Sequence, residues 1–368
     1  MKSKYLEISD IRSLQIEVTS RCNLMCPQCA RVHDGKLNPL LSLSELTPED
    51  YDKIFFEEKI PSLQEVLFNG NFGDPVISKH IDYAIEILLQ KGIAIKIFTN
   101  GSLRKASWWK NLGQLFANTK NEIVFSIDGL KDTNFIYRVN SKWDKIMENV
   151  SAYLSSGAKA RWDFLIFKHN EHQVEEAKTL AKKMGFKTFL KKKTKRFVTE
   201  EKNLNVKFEP IYNKKGQFIK NLDKTSNSKK DVFEIILKKY GSFENYINKT
   251  PIHCKYKKDM KGLYIDFMSC VWPCCWLGFE RYMPIKSKGK RQLNLLIEKY
   301  GKNFNSLRHL SLSEILSHDW FNKQLVESWK NKTTDENFKF FTCGKFCGKE
   351  YEKTSGPNYK NSEKIDLN

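Results

Sequence analysis

The stretch that decides the fold is residues 17–29, which read EVTSRCNLMCPQC. It continues an alternating, β-rich segment that begins at residue 14 and is typical of a strand. Three cysteines, Cys22, Cys26 and Cys29, therefore lie on one short loop directly after that strand. In α/β proteins with parallel strands, ligands bind at the carboxyl ends of the strands, so this loop predicts a functional site.

From residue 14 to about residue 190, strand-like and helix-like segments alternate. Such a repeat implies parallel strands joined by right-handed crossovers. Six units are too few for a closed eight-stranded barrel, so we expect an α/β fold with a partial (β/α)6 barrel. The predicted strands are 14–18, 63–68, 94–98, 123–127, 162–167 and 186–190, and the predicted helices are 48–58, 77–91, 105–116, 142–156 and 171–184.

The composition divides the chain into four parts. Residues 1–190 hold the strand–helix repeat, and residues 191–250 are a lysine-rich linker or insertion. Residues 251–350 are expected to form a smaller cysteine-rich α+β domain, followed by a polar, frayed tail at 351–368.

The charge and cysteine content narrow the possible classes of protein. A formal net charge of +20 admits a nucleic-acid partner, although no RNP-type or zinc-finger pattern accompanies it. No apolar run is long enough for a transmembrane helix, and the first residues lack a signal-peptide core, so we expect a cytoplasmic protein without membrane contact. Clustered cysteines in a reducing compartment indicate metal binding.

The first cysteine group admits two metal assignments. Three thiolates on one loop can hold three irons of a [4Fe–4S] cluster and leave the fourth iron open, as a reactive site requires. A zinc ion is the alternative, with His33 available as a fourth ligand. The position at the end of a strand favours the cluster.

Polar residues and glycines follow the next three predicted strands. Residues 68–75 read FNGNFGDP, in which Gly73 allows close backbone approach and Asp74 offers a carboxylate to a cation. Residues 98–101 read FTNG and present Asn100. Residues 125–129 read FSIDG, with Ser126 and Asp128, and Arg138 follows. The guanidinium group of Arg138 suits a carboxylate ligand. The alternative interpretation is that these segments are surface turns.

Together these segments resemble the radical S-adenosylmethionine (SAM) superfamily over about residues 12–190. The resemblance implies that Cys22, Cys26 and Cys29 bind a [4Fe–4S] cluster whose open iron binds SAM, and that reductive cleavage then yields a 5′-deoxyadenosyl radical. It also implies SAM contacts by Gly73, Asp74, Asn100, Ser126, Asp128 and Arg138. Three residues depart from the pattern: Gln28 replaces an aromatic residue, and Phe72 and Asp74 replace the first glycine and the glutamate of the Gly-Gly-Glu-Pro segment.

The C-terminal cysteines are Cys254, Cys270, Cys274, Cys275, Cys343 and Cys347. The strand-like residues 263–267 and the VWPCC run at 271–275 resemble the SPASM/twitch extension of radical SAM enzymes. This resemblance implies a second, auxiliary [4Fe–4S] cluster on Cys254, Cys274, Cys343 and Cys347. Structural zinc on the same residues is the alternative, Cys270 is an alternative ligand to Cys274, and Cys275 is expected to be buried packing.

The expected function is therefore hydrogen abstraction from a peptide or small-molecule substrate, with an auxiliary cluster assisting and a reductant such as flavodoxin or ferredoxin supplying electrons. Two alternatives stay open: a non-catalytic zinc or iron–sulfur protein that binds nucleic acid, and an RNA-modifying radical SAM enzyme.

Overall fold

The fold is taken from a computed structural model of the chain. It describes residues 4–33, 35–194, 197–199, 204–205, 208–213, 215–225, 232–283, 286–349 and 362–367.

The described strands and helices are numbered in chain order. The strands are β1 (Ser13–Ile16), β2 (Val32–His33), β3 (Lys36–Leu37), β4 (Glu65–Phe68), β5 (Ala94–Thr99), β6 (Glu122–Ser126), β7 (Ala160–Ile166), β8 (Thr188–Lys193), β9 (Val198–Thr199), β10 (Leu204–Asn205), β11 (Phe208–Tyr212), β12 (Phe218–Asp223), β13 (Gly262–Ile265), β14 (Val271–Trp272) and β15 (Ser362–Asp366). The helices are α1 (Pro48–Asp52), α2 (Ile81–Gln90), α3 (Ala106–Phe116), α4 (Asn134–Tyr137), α5 (Trp143–Leu154), α6 (Val174–Met184), α7 (Val232–Tyr240), α8 (Phe243–Lys249), α9 (Cys275–Phe279), α10 (Lys288–Tyr300), α11 (Leu312–Ser317), α12 (Leu325–Ser328) and α13 (Phe341–Cys347).

A nine-stranded sheet forms the centre of the molecule, in the order β14-β13-β1-β4-β5-β6-β7-β8-β15. The strands from β13 to β8 are parallel, and the two outermost strands pair antiparallel. The predicted α/β fold with six parallel strands is confirmed, and β13 adds a seventh.

The helices of the repeat each bury one side because their apolar residues recur at helical spacing. In α2, Ile81, Ala84, Ile85 and Leu88 are buried, and the chain turns away at Gly92 with a positive φ of 65°. Between α3 and α5, Trp109 meets Tyr153 with ring centroids 6.3 Å apart. Fully burying side chains of this size contributes about 1.5–3 kcal/mol each.

The sheet register brings the predicted site loops to one edge. Phe68 pairs with Ile97 and Thr99 with Phe125, while Ser126 pairs with Asp163. The carboxyl ends of these strands therefore lie side by side, and the loops that leave them converge with the cysteine loop after β1.

The C-terminal part contributes strands to both ends of the large sheet. Strand β13 lies beside β1, so the cysteine-rich part shares the core of the repeat. Of the predicted tail at 351–368, residues 351–361 and 368 lie outside the described residues, and β15 pairs with β8 from Ser362 to Asp366. The backbone of β15 thereby pairs with the edge of β8, and Leu367 is buried. The division of the chain into domains stays a prediction.

The lysine-rich stretch expected as a linker or insertion carries regular structure where it is described. Strands β11 and β12 form an antiparallel hairpin, and helices α7 and α8 follow. Ile211 and Leu222 of the hairpin are buried in a cluster with Leu24 and Cys26. In the described part of the chain, every helix is too short or too polar to cross a membrane.

Candidate functional site

The cysteine loop is held in shape by Arg31. One Arg31 Nη donates to the carbonyl oxygens of Cys22 and Leu24, each at 2.7 Å. The Arg31 side chain thereby folds the loop back on itself, so that the three thiols lie near the end of β1. Cys26 is buried, whereas Cys22 and Cys29 are half-buried.

Each of the three sulfurs has a nitrogen donor nearby. The backbone N–H of Leu24 donates to Cys22 Sγ at 3.4 Å, and the N–H of Arg31 donates to Cys29 Sγ at 3.5 Å. A guanidinium nitrogen of Arg138 lies 3.9 Å from Cys26 Sγ. Donors of this kind stabilise thiolates that bind metal.

Burial opposes thiolate formation in the absence of a positive centre. It raises the pKa of Cys26 to about 11, although the Arg138 charge acts in the opposite direction. It also raises the pKa of Cys22, and the nearby Asp74 carboxylate adds to that effect. Because a metal ligand must be deprotonated, these thiols are suited to a cation that displaces their protons.

Asp74 and Asn100 link the loops after β4 and β5 to the cysteine loop. The Asp74 carboxylate accepts hydrogen bonds from Thr99 Oγ1 at 2.9 Å and from the Asn100 N–H at 2.8 Å. The Asn100 side-chain amide in turn donates to Asn23 at 3.1 Å and lies 3.8 Å from Cys22 Sγ. Asp74 is thus placed to fix the loop in position, and a direct contact between its carboxylate and SAM stays a prediction.

Gly73 is required by close backbone packing. A Cβ atom at this position would lie 2.0 Å from the carbonyl oxygen of Thr19 and 2.7 Å from that of Arg21. The close approach is therefore between the loop after β4 and the start of the cysteine loop. Only glycine permits it without a shift of the backbone.

Asp128 and Arg138 form a buried ion pair. Arg138 Nε donates to the Asp128 carboxylate at 2.5 Å, and the Leu165 N–H donates to its other oxygen at 2.6 Å. Burial raises the pKa of Asp128, and the Arg138 charge lowers it. Ser126 is half-buried at the carboxyl end of β6. The pair orients the guanidinium group beside Cys26, while SAM contacts by Ser126, Asp128 and Arg138 stay predictions.

Glu17 is a site residue that the sequence interpretation missed. Its buried carboxylate accepts from the N–H groups of Asn71, Phe72 and Gly73, at 3.1, 2.6 and 3.1 Å. Burial raises its pKa to about 8 despite these bonds. Glu17 shapes the loop after β4, and the only sequence signal was an acidic residue inside a β-rich segment.

Four cysteines of the C-terminal part line one small cavity: Cys254, Cys274, Cys343 and Cys347. Cys274 caps the amino end of α9, and Cys343 and Cys347 lie on α13 one helical turn apart. These are the four residues that the resemblance assigned to an auxiliary cluster. Their ligand role stays a prediction.

The two remaining cysteines lie elsewhere. Cys270 Sγ is 3.1 Å from a guanidinium nitrogen of Arg281, and the neighbouring Asp266 accepts from the Cys270 N–H at 3.1 Å. Cys275 is buried, and its thiol interacts with Tyr256 and Gln15. Neither residue lines the cavity of the other four.

The donor sets fit iron–sulfur clusters by their chemistry. Among the described residues, three or more His, Cys, Asp or Glu side chains are nowhere gathered closely enough to form a ready site for a metal ion. The residues fit a cluster because each site offers only cysteine thiols as ligands. The first site has three thiols on one loop, each with a nitrogen donor beside its sulfur, and the second has four thiols around one cavity.

Comparisons with known proteins concern the family and the fold of the chain. Residues 16–184 match the radical SAM superfamily model. A tungsten-containing aldehyde ferredoxin oxidoreductase cofactor-modifying protein of Pyrococcus furiosus is 30% identical over 124 residues, covering 33% of this chain and 32% of that protein. A probable GTP 3′,8-cyclase of Methanocella arvoryzae is 29% identical over 147 residues, covering 40% of this chain and 45% of the cyclase. The matched regions thus span less than half of either curated relative.

A solved structure shares the fold over most of the chain. It is native anSMEcpe with bound AdoMet and a Kp18Cys peptide, with a TM-score of 0.50 and 14% identity, covering 92% of this chain and 89% of that chain. At this level of identity the similarity concerns the fold alone. Residues 16–184, somewhat less than half of the chain, therefore match the radical SAM superfamily.

Proposed function

We propose that this protein is an enzyme that binds a [4Fe–4S] cluster on Cys22, Cys26 and Cys29 and uses it to cleave SAM reductively. When bound, the cluster and SAM supply a 5′-deoxyadenosyl radical, which abstracts hydrogen from a peptide or small-molecule substrate. The observation that carries the proposal is the arrangement of three thiols, each beside a nitrogen donor, on a loop that meets three other strand-end loops.

The remaining residues of the site position the ligands. Asn100 and Asp74 fix the cysteine loop to the end of β5. Glu17 and Gly73 hold the loop after β4 against the cysteine loop. Arg138 carries a positive charge that favours the anionic cluster and the SAM carboxylate, and its ion pair with Asp128 keeps it in place.

The proposal includes an auxiliary [4Fe–4S] cluster on Cys254, Cys274, Cys343 and Cys347. Their arrangement around one cavity supports it, as does the position of Cys270 and Cys275 outside that cavity. Four thiolates close a cluster, which suits electron transfer rather than substrate binding.

A peptide substrate is supported by the similar fold of anSMEcpe, whose structure contains a peptide. The reductant would be a flavodoxin or a ferredoxin. The nine cysteines are all unpaired, which suits the reducing cytoplasm.

Anaerobic reconstitution with iron and sulfide, followed by dithionite and SAM, tests the proposal. The expected product is 5′-deoxyadenosine, detected by chromatography and mass spectrometry, and Cys26→Ala is the matched control that should form none. Absence of 5′-deoxyadenosine from wild-type protein that carries its iron would contradict the proposal. Deuterium transfer from candidate peptides into the product would then identify the hydrogen donor.

A further inference from the structure

Phe72 is the residue that departs from the glycine of the resembling motif, and its ring packs in a cluster of buried side chains. Its side chain is 2% exposed. It is buried in an aromatic cluster, here called the Phe72 cluster, whose members come from three separate parts of the chain: Leu41, Phe72, Phe267, Phe279 and Tyr282. The ring therefore joins the loop after β4 to the C-terminal part.

The contacts of Phe72 are close. Its ring centroid lies 4.8 Å from that of Phe279, 4.9 Å from that of Tyr282 and 6.0 Å from that of Phe267, each in an edge-to-face arrangement. Such aromatic pairs contribute beyond their buried area because the ring quadrupoles are complementary. A shift of Phe279 would therefore displace Phe72.

The Phe72 cluster reaches the four-cysteine cavity through one short helix. Phe279 ends α9, and Cys274 caps the amino end of the same helix. Trp276, between them, lines the cavity, lies 5.7 Å from Phe279 and stacks on Phe346 at 4.0 Å. Metal binding by Cys274 would fix α9, and with it the position of Phe279.

On the other side, Phe72 is tied to the cysteine loop. Its N–H donates to Glu17 at 2.6 Å, and the Cys29 thiol lies 3.8 Å from the carbonyl oxygen of the preceding Asn71. The following Gly73 lies against the backbone of Thr19. The position of the Phe72 backbone therefore sets the loop that is expected to bind SAM.

We infer that Phe72 is a positioning residue that couples the two cysteine sites, so that a filled four-cysteine cavity strengthens SAM binding at the three-cysteine loop. The inference rests on the proposed function. Packed aromatic contacts transmit small displacements because a dense core has little room to absorb them. Coupling between two sites is reciprocal, so SAM would also stabilise the loaded C-terminal site.

A double-mutant cycle on SAM affinity tests this coupling without turnover. Unreduced protein with a loaded three-cysteine site is dialysed anaerobically against radiolabelled SAM, with and without the pair Cys343→Ser and Cys347→Ser. In the wild-type background, loss of the C-terminal ligands should weaken SAM binding about fivefold or more. In the Phe72→Leu background the same loss should change affinity less than about twofold, since the coupling contact is gone.

Two further variants separate coupling from general damage. Phe279→Leu removes the same contact from the other side and should also abolish the coupling. Phe116→Leu, in the remote helix α3, removes an equally buried ring. In this background, loss of the C-terminal ligands should still weaken SAM binding about fivefold. Circular dichroism checks that each variant is folded.

The outcomes distinguish the two proposals. The coupling would be overturned if loss of the C-terminal ligands weakened SAM binding by the same factor in the wild-type and Phe72→Leu backgrounds. It would also be overturned if that loss left SAM affinity unchanged in the wild-type background. Either result would leave the proposed function standing. Loaded wild-type protein that binds no SAM would overturn both.

Discussion

The three-cysteine loop and the four-cysteine cavity both have hydrogen-bond donors beside a sulfur, since the Tyr5 hydroxyl lies 3.9 Å from Cys254 Sγ, but they differ in their remaining side chains. The loop carries nitrogen donors beside its sulfurs, from backbone N–H groups, Asn100 and Arg138. The cavity wall is largely apolar and includes Tyr5, Ile252, Pro273, Trp276, Leu277, Leu325, Trp329 and Phe346. Polar surroundings suit a cluster that exchanges a charged ligand, whereas an apolar wall suits a cluster that stays closed and dry.

The largest expected effect comes from removing one ligand at each site. Cys26→Ala should abolish 5′-deoxyadenosine formation and lose the iron of the first site only. Cys274→Ala should lose the iron of the second site yet still cleave SAM, because the first site keeps its three thiols. Iron content and product formation measure both effects.

Cys270→Ala and Cys275→Ala serve as controls for this comparison. Both residues lie outside the four-cysteine cavity, so both variants should retain the wild-type iron content. Loss of half the iron in Cys270→Ala would mean that the ligand set of the second site is assigned incorrectly.

Gly73→Ala should disturb the first site and leave the second unchanged. The added methyl group would meet the Thr19 carbonyl oxygen at 2.0 Å, so the loop must shift. We expect a loss of about 1–3 kcal/mol in the free energy of unfolding, and weaker SAM binding. In Gly157→Ala the new Cβ meets nothing within 4 Å, and only the positive φ of 73° costs about 1–2 kcal/mol.

The matched glycines are compared by denaturant unfolding and by SAM dialysis. Equal SAM affinity in Gly73→Ala and Gly157→Ala would contradict a role of Gly73 in shaping the site.

Arg138→Lys tests the polar surroundings of the first site. A lysine keeps the charge but cannot reach both the Asp128 carboxylate and Cys26 Sγ as the guanidinium group does. We expect SAM affinity to fall about tenfold, since a charged hydrogen bond contributes about 1.5–3 kcal/mol. Iron at the second site should not change, and equilibrium dialysis with iron analysis decides the outcome.

Glu17→Gln leaves the ligands of both sites in place and should change only the pH dependence of the free energy of unfolding. Burial raises the pKa of Glu17 to about 8, above its value in an unfolded chain, so the folded state binds an extra proton between about pH 4.5 and 8. The resulting stability is fully present below that range and is lost as the pH rises through about 8. The slope is at most about 1.4 kcal/mol per pH unit.

Urea unfolding of the metal-free protein at several pH values measures this slope. The difference between wild type and Glu17→Gln should fall steadily from pH 5 to 8 and then level off. A difference that does not depend on pH would show that Glu17 is ionised in the folded protein throughout this range.

The sequence predicted the local parts of the fold well. The six predicted parallel strands all exist, because apolar alternation and helix-ending glycines such as Gly185 act over a few residues. Strand β8 extends three residues further than predicted, through Lys191, Lys192 and Lys193. Lysines there are stabilised by distant partners, since Lys191 pairs with Glu363 and Lys192 with Asp163.

What the sequence could not predict depends on long-range pairing. Neither the insertion of β13 beside β1 nor the pairing of β15 with β8 leaves a local pattern. The same holds for the site: the three-cysteine spacing is local, whereas Glu17 and Phe72 act through contacts with residues more than fifty positions away. Local spacing did not indicate which C-terminal cysteines share a cavity; the family resemblance alone singled out the four that the packed helices α9 and α13 help to bring together.

The most direct test of the difference between the two sites is electron paramagnetic resonance of the Cys343→Ser/Cys347→Ser variant, reduced anaerobically, before and after addition of SAM. With only the three-cysteine site loaded, SAM should shift the cluster spectrum because one iron accepts an outside ligand. A spectrum that is unchanged by saturating SAM would mean that this iron is already fully ligated, and would contradict the account.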